Sequence, residues 1–303
     1  MGGLMVLGAA VGFGLSPMLA QLLLQQGFTP EVIALFRFAI PLLIMLPFLR
    51  RLNLSDAESL RTIAIGALMG CGMLIHLYSY DWLPAALVIQ IYYTYPLFAM
   101  GLGWALFRQP ATQNRLIAAG LIVIAVSIML DPSDLGEQPL WVLPLSFMAP
   151  VSYALLLNYF AKPVRAMPSS QRMGACAVGH LLVLIPIILW QAQMQIAIDT
   201  PMQILPTSSE QTTLIIALGL LAATLPQYLF ARGSLSTGIE RLTTIGSLEI
   251  IFALFFGVVF LNNEIGRLDI IAAGLIVMAG LIRLETRQIS PVAPAISESE
   301  VSH

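Results

Sequence analysis

Charge is scarce in this sequence. Lys, Arg, Asp and Glu make up 10% of the 303 residues, against about 25% in an ordinary soluble domain. With 58% of residues hydrophobic, too little polar surface is left to cover a core, which excludes a water-soluble globular fold. The net charge of −2 comes without a basic face, and this excludes a nucleic-acid footprint. Cysteine is rarer still. Cys71 and Cys176 both sit in apolar stretches without CxxC or Cys/His spacing, so they read as small core residues and not as a disulfide framework or metal site. The three histidines, His76, His180 and His303, are scattered. No HExxH, paired DDxxD or interfacial Ser/His constellation is present, so the chain reads as neither an enzyme nor a holder of metal or cofactor.

What remains is apolar sequence in blocks. A membrane-spanning helix needs roughly 20 apolar residues. Breaking the chain at charges, prolines and polar clusters leaves ten such segments, at about 2–25, 30–49, 61–80, 84–107, 113–130, 140–161, 171–192, 211–231, 237–261 and 267–285. The N-terminal segment has no basic stretch before it and is too long for a signal h-region, so it reads as a retained first span. The stretch 288–303 is rich in Pro, Ser and Glu and reads as a disordered cytoplasmic tail.

Basic residues fall into alternate loops. Arg50, Arg51 and Arg61 follow span 2, Arg108 and Arg115 follow span 4, Lys162, Arg165 and Arg172 follow span 6, Arg232 and Arg241 follow span 8, and Arg283 and Arg287 follow span 10. The opposite loops hold Glu31, Asp81, Asp131, Asp134, Glu137, Asp199 and Glu210, with Arg267 as their one basic residue. The positive-inside rule then places both termini in the cytoplasm of a multi-pass protein of the inner (plasma) membrane.

The sequence also repeats itself. IAAGLIV occurs at Ile117–Val123 and again at Ile271–Val277, 154 residues on, and the same shift pairs Phe98 with Phe252 and Gly103 with Gly257. Each half holds five spans, and an odd number reverses the direction in which the second copy enters the membrane. The charges agree, because the shift replaces Arg108 by Asn262 and Arg115 by Asp269. The fold class read here is all-α integral membrane, ten transmembrane helices built as two inverted five-helix repeats, 1–130 and 140–285. That architecture opens a central site alternately to either side.

Several stretches resemble a known family. The run LPAALVIQIYYTYPLFAMGLGWALF followed by IAAGLIVIAVSIML, with Pro96 inside it, is similar to helices four and five of the drug/metabolite transporter superfamily with two EamA-type domains. GSLEIIFALFFGVVFLNNEIGRLDIIAAGLIVMAGLI repeats the pattern, with Glu249 and Glu264 at the family's acidic positions, and Arg37 in ALFRFAIPLL matches a frequent second-helix arginine. The pattern departs where Ile250 replaces the second-half proline, where Pro110 replaces the first-half loop acid, and where the first helix lacks a tryptophan near Gly12 to Ser16. The resemblance implies a permease whose cavity is lined by spans 1, 3, 4, 6, 8 and 9, with spans 5 and 10 packed peripherally.

The polar residues within the spans are the candidate site. Arg37 lies seven residues into span 2, about 10 Å deep at about 1.5 Å per residue, and reads as an anchor for a carboxylate or phosphate or as a structural cation. Glu249 lies about 12 Å beyond Arg241 by the same rise, where it can exchange a proton as the cavity alternates or pair with a substrate ammonium. It is the coupling candidate. Gln90, Tyr92, Tyr93 and Tyr95 cluster in span 4, and the 154-residue shift makes Tyr95 the mate of Glu249. Buried tyrosines offer a stacking face and a hydroxyl. His76, Tyr153, Gln227 and Tyr228 complete the candidate binding set, while His180 reads as a satisfied core residue. Pro96 removes a backbone donor at mid-span and reads as a hinge.

Together these imply a secondary transporter that moves a small metabolite by alternating access, first an amino acid or related amphipathic compound, in the export direction. The alternatives are a permease for a drug, vitamin or nucleotide-like metabolite, a facilitative uniporter and, further off, a membrane enzyme. Expected partners are the small-molecule substrate, the bilayer, protons, and a second copy docked through the small residues of spans 5 and 10.

Overall fold

The computed structural model describes residues 2–50, 52–83, 85–107, 112–129, 141–160, 167–197, 203–237, 245–246, 248–262 and 266–282, and every regular element among them is a helix. The tail, Glu264 and most of the loop charges lie outside these residues. In chain order the helices are α1 (Gly2–Gln25), α2 (Pro30–Leu49), α3 (Ala57–Trp82), α4 (Ala85–Tyr92), α5 (Tyr95–Phe107), α6 (Gln113–Met129) and α7 (Val142–Ser146). They continue with α8 (Met148–Phe160), α9 (Ser169–Ala197), α10 (Ser209–Gly219), a π-helical turn (Leu220–Thr224), α11 (Leu225–Thr237), α12 (Glu249–Leu261) and α13 (Arg267–Ile282). Among the described residues, six helical stretches, 2–25, 30–49, 57–82, 142–160, 170–194 and 209–233, are long and apolar enough to cross a membrane, and 95–106, 116–125 and 249–261 are shorter apolar helices.

Local chemistry sets the helix ends. Gly27, at φ +89°, closes α1 in a Schellman motif, its N–H bonded to the Leu24 carbonyl and the Phe28 N–H to the Leu23 carbonyl. Pro30 opens α2, where its missing donor costs nothing. Ser208 caps α10 by accepting from the Gln211 N–H at 3.1 Å.

Lipid is as apolar as leucine, so helices inside a bilayer associate by close packing rather than by exclusion from water. Small residues supply that closeness here. The Gly66-xxx-Gly70 face of α3 lies directly on the backbone of α9. A Cβ on Gly66 would collide with the Cys176 carbonyl, one on Gly179 would collide with the Ile63 carbonyl, and one on Gly70 would stand 3.2 Å from the His180 Cα. In α1, a Cβ on Gly12 would come within 2.7 Å of the Leu221 carbonyl, and one on Gly14 within 2.9 Å of the Glu249 carbonyl. This close approach leaves no room for a larger side chain at Gly12 or Gly14, while Phe13 between them turns to the cavities described below. Large side chains such as Leu43, Trp104, Leu189 and Phe255 are more than half exposed on the periphery, as a lipid-facing surface requires.

Helices α6 and α13 pack on each other within one chain. Ala118, Ile122 and Ala125 are buried there together with Ala272, Ile276 and Ala279. Of the small residues in the two AAG segments, Ala118 and Ala272 are buried inside the protomer, whereas Gly120 and Gly274 face open space.

Candidate functional site

Span 4 is two helices, not one. Pro96 has no N–H to return to the preceding turn, and its ring disfavours helical backbone at Tyr95. The chain responds by ending α4 at Tyr92 and starting α5 at Tyr95. Thr94 bridges the gap, its Oγ1 donating to the Ile91 carbonyl at 2.6 Å. In the second half Ile250 stands in place of the proline, yet Leu248 is a turn residue and α12 begins at Glu249, the sequence mate of Tyr95. The preceding Thr243, Thr244, Gly246 and Ser247 are weak helix formers, and an acid at the first position of a helix is stabilised by its N-terminal dipole.

The break in span 4 presents a cluster of rings. Tyr92 stacks on Tyr153 with centroids 5.4 Å apart, Tyr95 meets Tyr153 edge-on at 4.8 Å, and His76 lies 4.7 Å from Tyr92. His76 Nε2 and the Tyr80 hydroxyl are 3.5 Å apart. Two cavities open beside this cluster, taking in about 420 and 630 Å³ of space with their open mouths included, and both are lined by Phe13, Arg37 and Tyr92. The first sets His76, Tyr80, Tyr93 and Glu249 among apolar residues such as Met73, Leu77 and Ile89. The second is mostly apolar, with Tyr153, Phe160, Phe230, Gln227 and His180.

Arg37 and Glu249 face the same cavity without touching. Among the described residues no carboxylate lies within 4.0 Å of the Arg37 guanidinium and no cation within 4.0 Å of Glu249, which is 4% exposed. The Tyr93 hydroxyl is buried beside Glu249 without a hydrogen bond of regular geometry. A cation and an anion held apart across a cavity can each accept the opposite charge of one ligand, the guanidinium as a two-pronged donor to a carboxylate.

Of the residues singled out in the sequence, Arg37, His76, Tyr92, Tyr93, Tyr153, Gln227 and Glu249 line one or both cavities. Tyr95 lines neither. It is 1% exposed inside the ring cluster and supports Tyr92 and Tyr153. Tyr228 also lines neither and accepts a hydrogen bond from Arg232 at 2.9 Å. Gln90 belongs to α4, and its side chain is outside the described residues. Three features go beyond the sequence reading. Spans 2 and 7 join the wall, through Arg37 and Phe38 and through His180. His180 is not satisfied: neither ring nitrogen has a hydrogen-bond partner. Span 8 contains a π-helical turn that places Ala223 on the second cavity, with Thr224 Oγ1 donating to the Gly219 carbonyl at 2.6 Å. The sequence signal for that turn is Pro226, two residues beyond its end.

Comparison with known proteins agrees with the helical fold. A protein of Synechocystis sp. named as an uncharacterized transporter is 29% identical over 136 residues, which covers 41% of this chain and 40% of the relative. The chain thus matches less than half of that relative's length. A solved protein crystal structure shares the fold with a TM-score of 0.61 at 16% identity, over 91% of this chain and 95% of its own. The profile of the EamA-like transporter family matches residues 1–131 and 140–283. A membrane-embedded helical chain with charged and aromatic groups around an internal cavity, matched by this profile through both halves, belongs to the EamA-like transporter family of the drug/metabolite transporter superfamily.

Proposed function

We propose that the chain is a secondary transporter that exports an amino acid or closely related amphipathic metabolite across the inner membrane by alternating access. Ten spans form two inverted five-helix repeats, and both termini are cytoplasmic. Matched packing supports the repeat. Ala118, Ile122 and Ala125 on α6 are buried as are their mates Ala272, Ile276 and Ala279 on α13. The contacts also exchange between halves, since α1 packs on α11 and α12 while α8 packs on α3 and α5. The helix starts at Tyr95 and Glu249 are mates as well. Two halves that can trade conformations are what alternating access needs.

The observation that carries the substrate class is the separated pair Arg37 and Glu249 on one cavity wall. A zwitterion satisfies both at once, its carboxylate on Arg37 and its ammonium at Glu249, and its apolar part fits the ring-lined second cavity. Substrate and proton then compete for Glu249, which couples export to proton entry.

The test is transport in proteoliposomes with an imposed proton gradient and a panel of amino acids. The wild type should respond to the gradient. Glu249→Gln should lose that response while retaining part of the counter-exchange of internal for external substrate. An unchanged gradient response removes Glu249 from coupling and leaves a facilitative carrier, and absence of any amino-acid movement by folded wild type overturns the substrate class.

A further inference from the structure

From the zwitterion reading above, on which it rests, we infer that His180 is a specificity-determining residue that selects substrates whose aromatic tail carries a hydroxyl or ring N–H. His180 forms part of the wall of the second cavity and is 1% exposed. Phe38 stacks on one face of the imidazole, with centroids 3.7 Å apart and planes inclined by 12°, so the ring is held in one orientation and its edge is left to interact. Both Nδ1 and Nε2 are buried without a partner. The Cys176 carbonyl, one turn back on α9, lies near the ring but outside regular hydrogen-bond geometry.

Buried polar groups in folded proteins are nearly always satisfied, and one without a partner lowers stability unless something else completes it. The rest of the cavity indicates what does. Its wall carries Phe13, Tyr153, Phe160 and Phe230, a surface suited to a planar ring. It is also the wider of the two spaces.

Arg37 joins the two cavities and immediately precedes Phe38 in α2. A ligand whose carboxylate sits on Arg37 therefore extends its side chain toward the Phe38–His180 stack. An imidazole offers one donor and one acceptor, and a hydroxyl can answer either. A ring without a polar group fills the same volume but leaves both nitrogens unanswered. Sites that hydrogen-bond a substrate hydroxyl reject the analogue lacking it, because the orphaned partner raises the energy of the wrong complex.

The probes are free L-phenylalanine and L-tyrosine, which differ by one hydroxyl, titrated calorimetrically into purified protein in lipid nanodiscs. The wild type should bind L-tyrosine about tenfold more tightly than L-phenylalanine, the scale of one buried hydrogen bond. His180→Phe should erase the preference while leaving the L-phenylalanine affinity unchanged or improved, and His180→Gln, which keeps a donor and an acceptor, should retain most of it. Melting temperature and monodispersity verify that each variant is folded. Equal binding of the two amino acids by wild type overturns the role of His180 and leaves the zwitterion reading standing. So does an equal loss of both ligands in folded His180→Phe, which would place His180 at the head group or in the scaffold. Binding of neither by folded wild type overturns both.

Discussion

Replacing Arg37 with glutamine should lower the affinity for carboxylate-bearing substrates about a hundredfold or more and leave the empty protein at least as stable as the wild type. The two halves of this expectation share one cause. Arg37 is the cation on the wall of both cavities, and no described carboxylate lies within 4.0 Å of it. A substrate carboxylate would receive two charge-assisted hydrogen bonds from the guanidinium fork, each contributing about 1.5–3 kcal/mol. Glutamine keeps some length and one donor group but no charge. In the empty protein the same guanidinium is a charge removed from bulk water without a counter-ion, which opposes folding. Its removal should therefore hold or raise the melting temperature. Arg37→Lys should fall between, since lysine restores the charge without the fork. Calorimetric titration together with thermal unfolding of the same nanodisc samples checks both halves. Wild-type affinity in Arg37→Gln would remove this residue from the site, and a large fall in melting temperature would make it a structural cation.

The second large effect concerns assembly. Gly66→Val should destabilise the protein by about 3 kcal/mol, at the upper end of what overpacking costs, while Gly120→Val should change stability by no more than about 0.5 kcal/mol, as for a surface position. The residue types are identical and only the surroundings differ. At Gly66 an added Cβ meets the Cys176 carbonyl of α9, which cannot move without disturbing its own helix, whereas at Gly120 nothing lies within 4 Å. The α3–α9 contact also sets the site, because Gly70 rests against the His180 backbone and α3 carries His76. Tryptophan-fluorescence unfolding in nanodiscs reads the difference. Equal effects at the two glycines would mean that close approach of α3 and α9 is unimportant.

Much of this protein can be read before any helix is placed in space. Helices α1 and α2 fall at 2–25 and 30–49, the limits expected from hydropathy, because Gly27 and Pro30 stop and start a helix by their own backbone chemistry. The interruption of span 4 follows from Pro96 for the same reason, and Arg37, His76, Tyr92, Tyr153 and Glu249 stand out because a polar group is conspicuous in an apolar run. Span 9 shows the limit of this reading. There α12 begins at Glu249 without a proline, where weak helix formers and an acid at the helix start replace a single strong signal.

The faces of the helices were beyond that reading. A soluble helix announces its buried side by a polar side opposite, but in a bilayer both sides are apolar and the pattern along the chain is silent about which side meets protein. Tyr95 and Tyr92 were therefore equivalent candidates, yet one is enclosed in the ring cluster and the other lines both cavities. His180 looked unremarkable because Phe38 and Arg37 lie more than 140 residues away in the chain, and only the crossing of α2 and α9 brings them together. Chain-local chemistry, which acts within a few residues, decided the membrane class, the helix limits and the inventory of polar groups. The two cavities, the placing of Glu249 on one and of the unsatisfied His180 on the other, arise from contacts between distant helices, whose geometry depends on side-chain shape summed over whole interfaces.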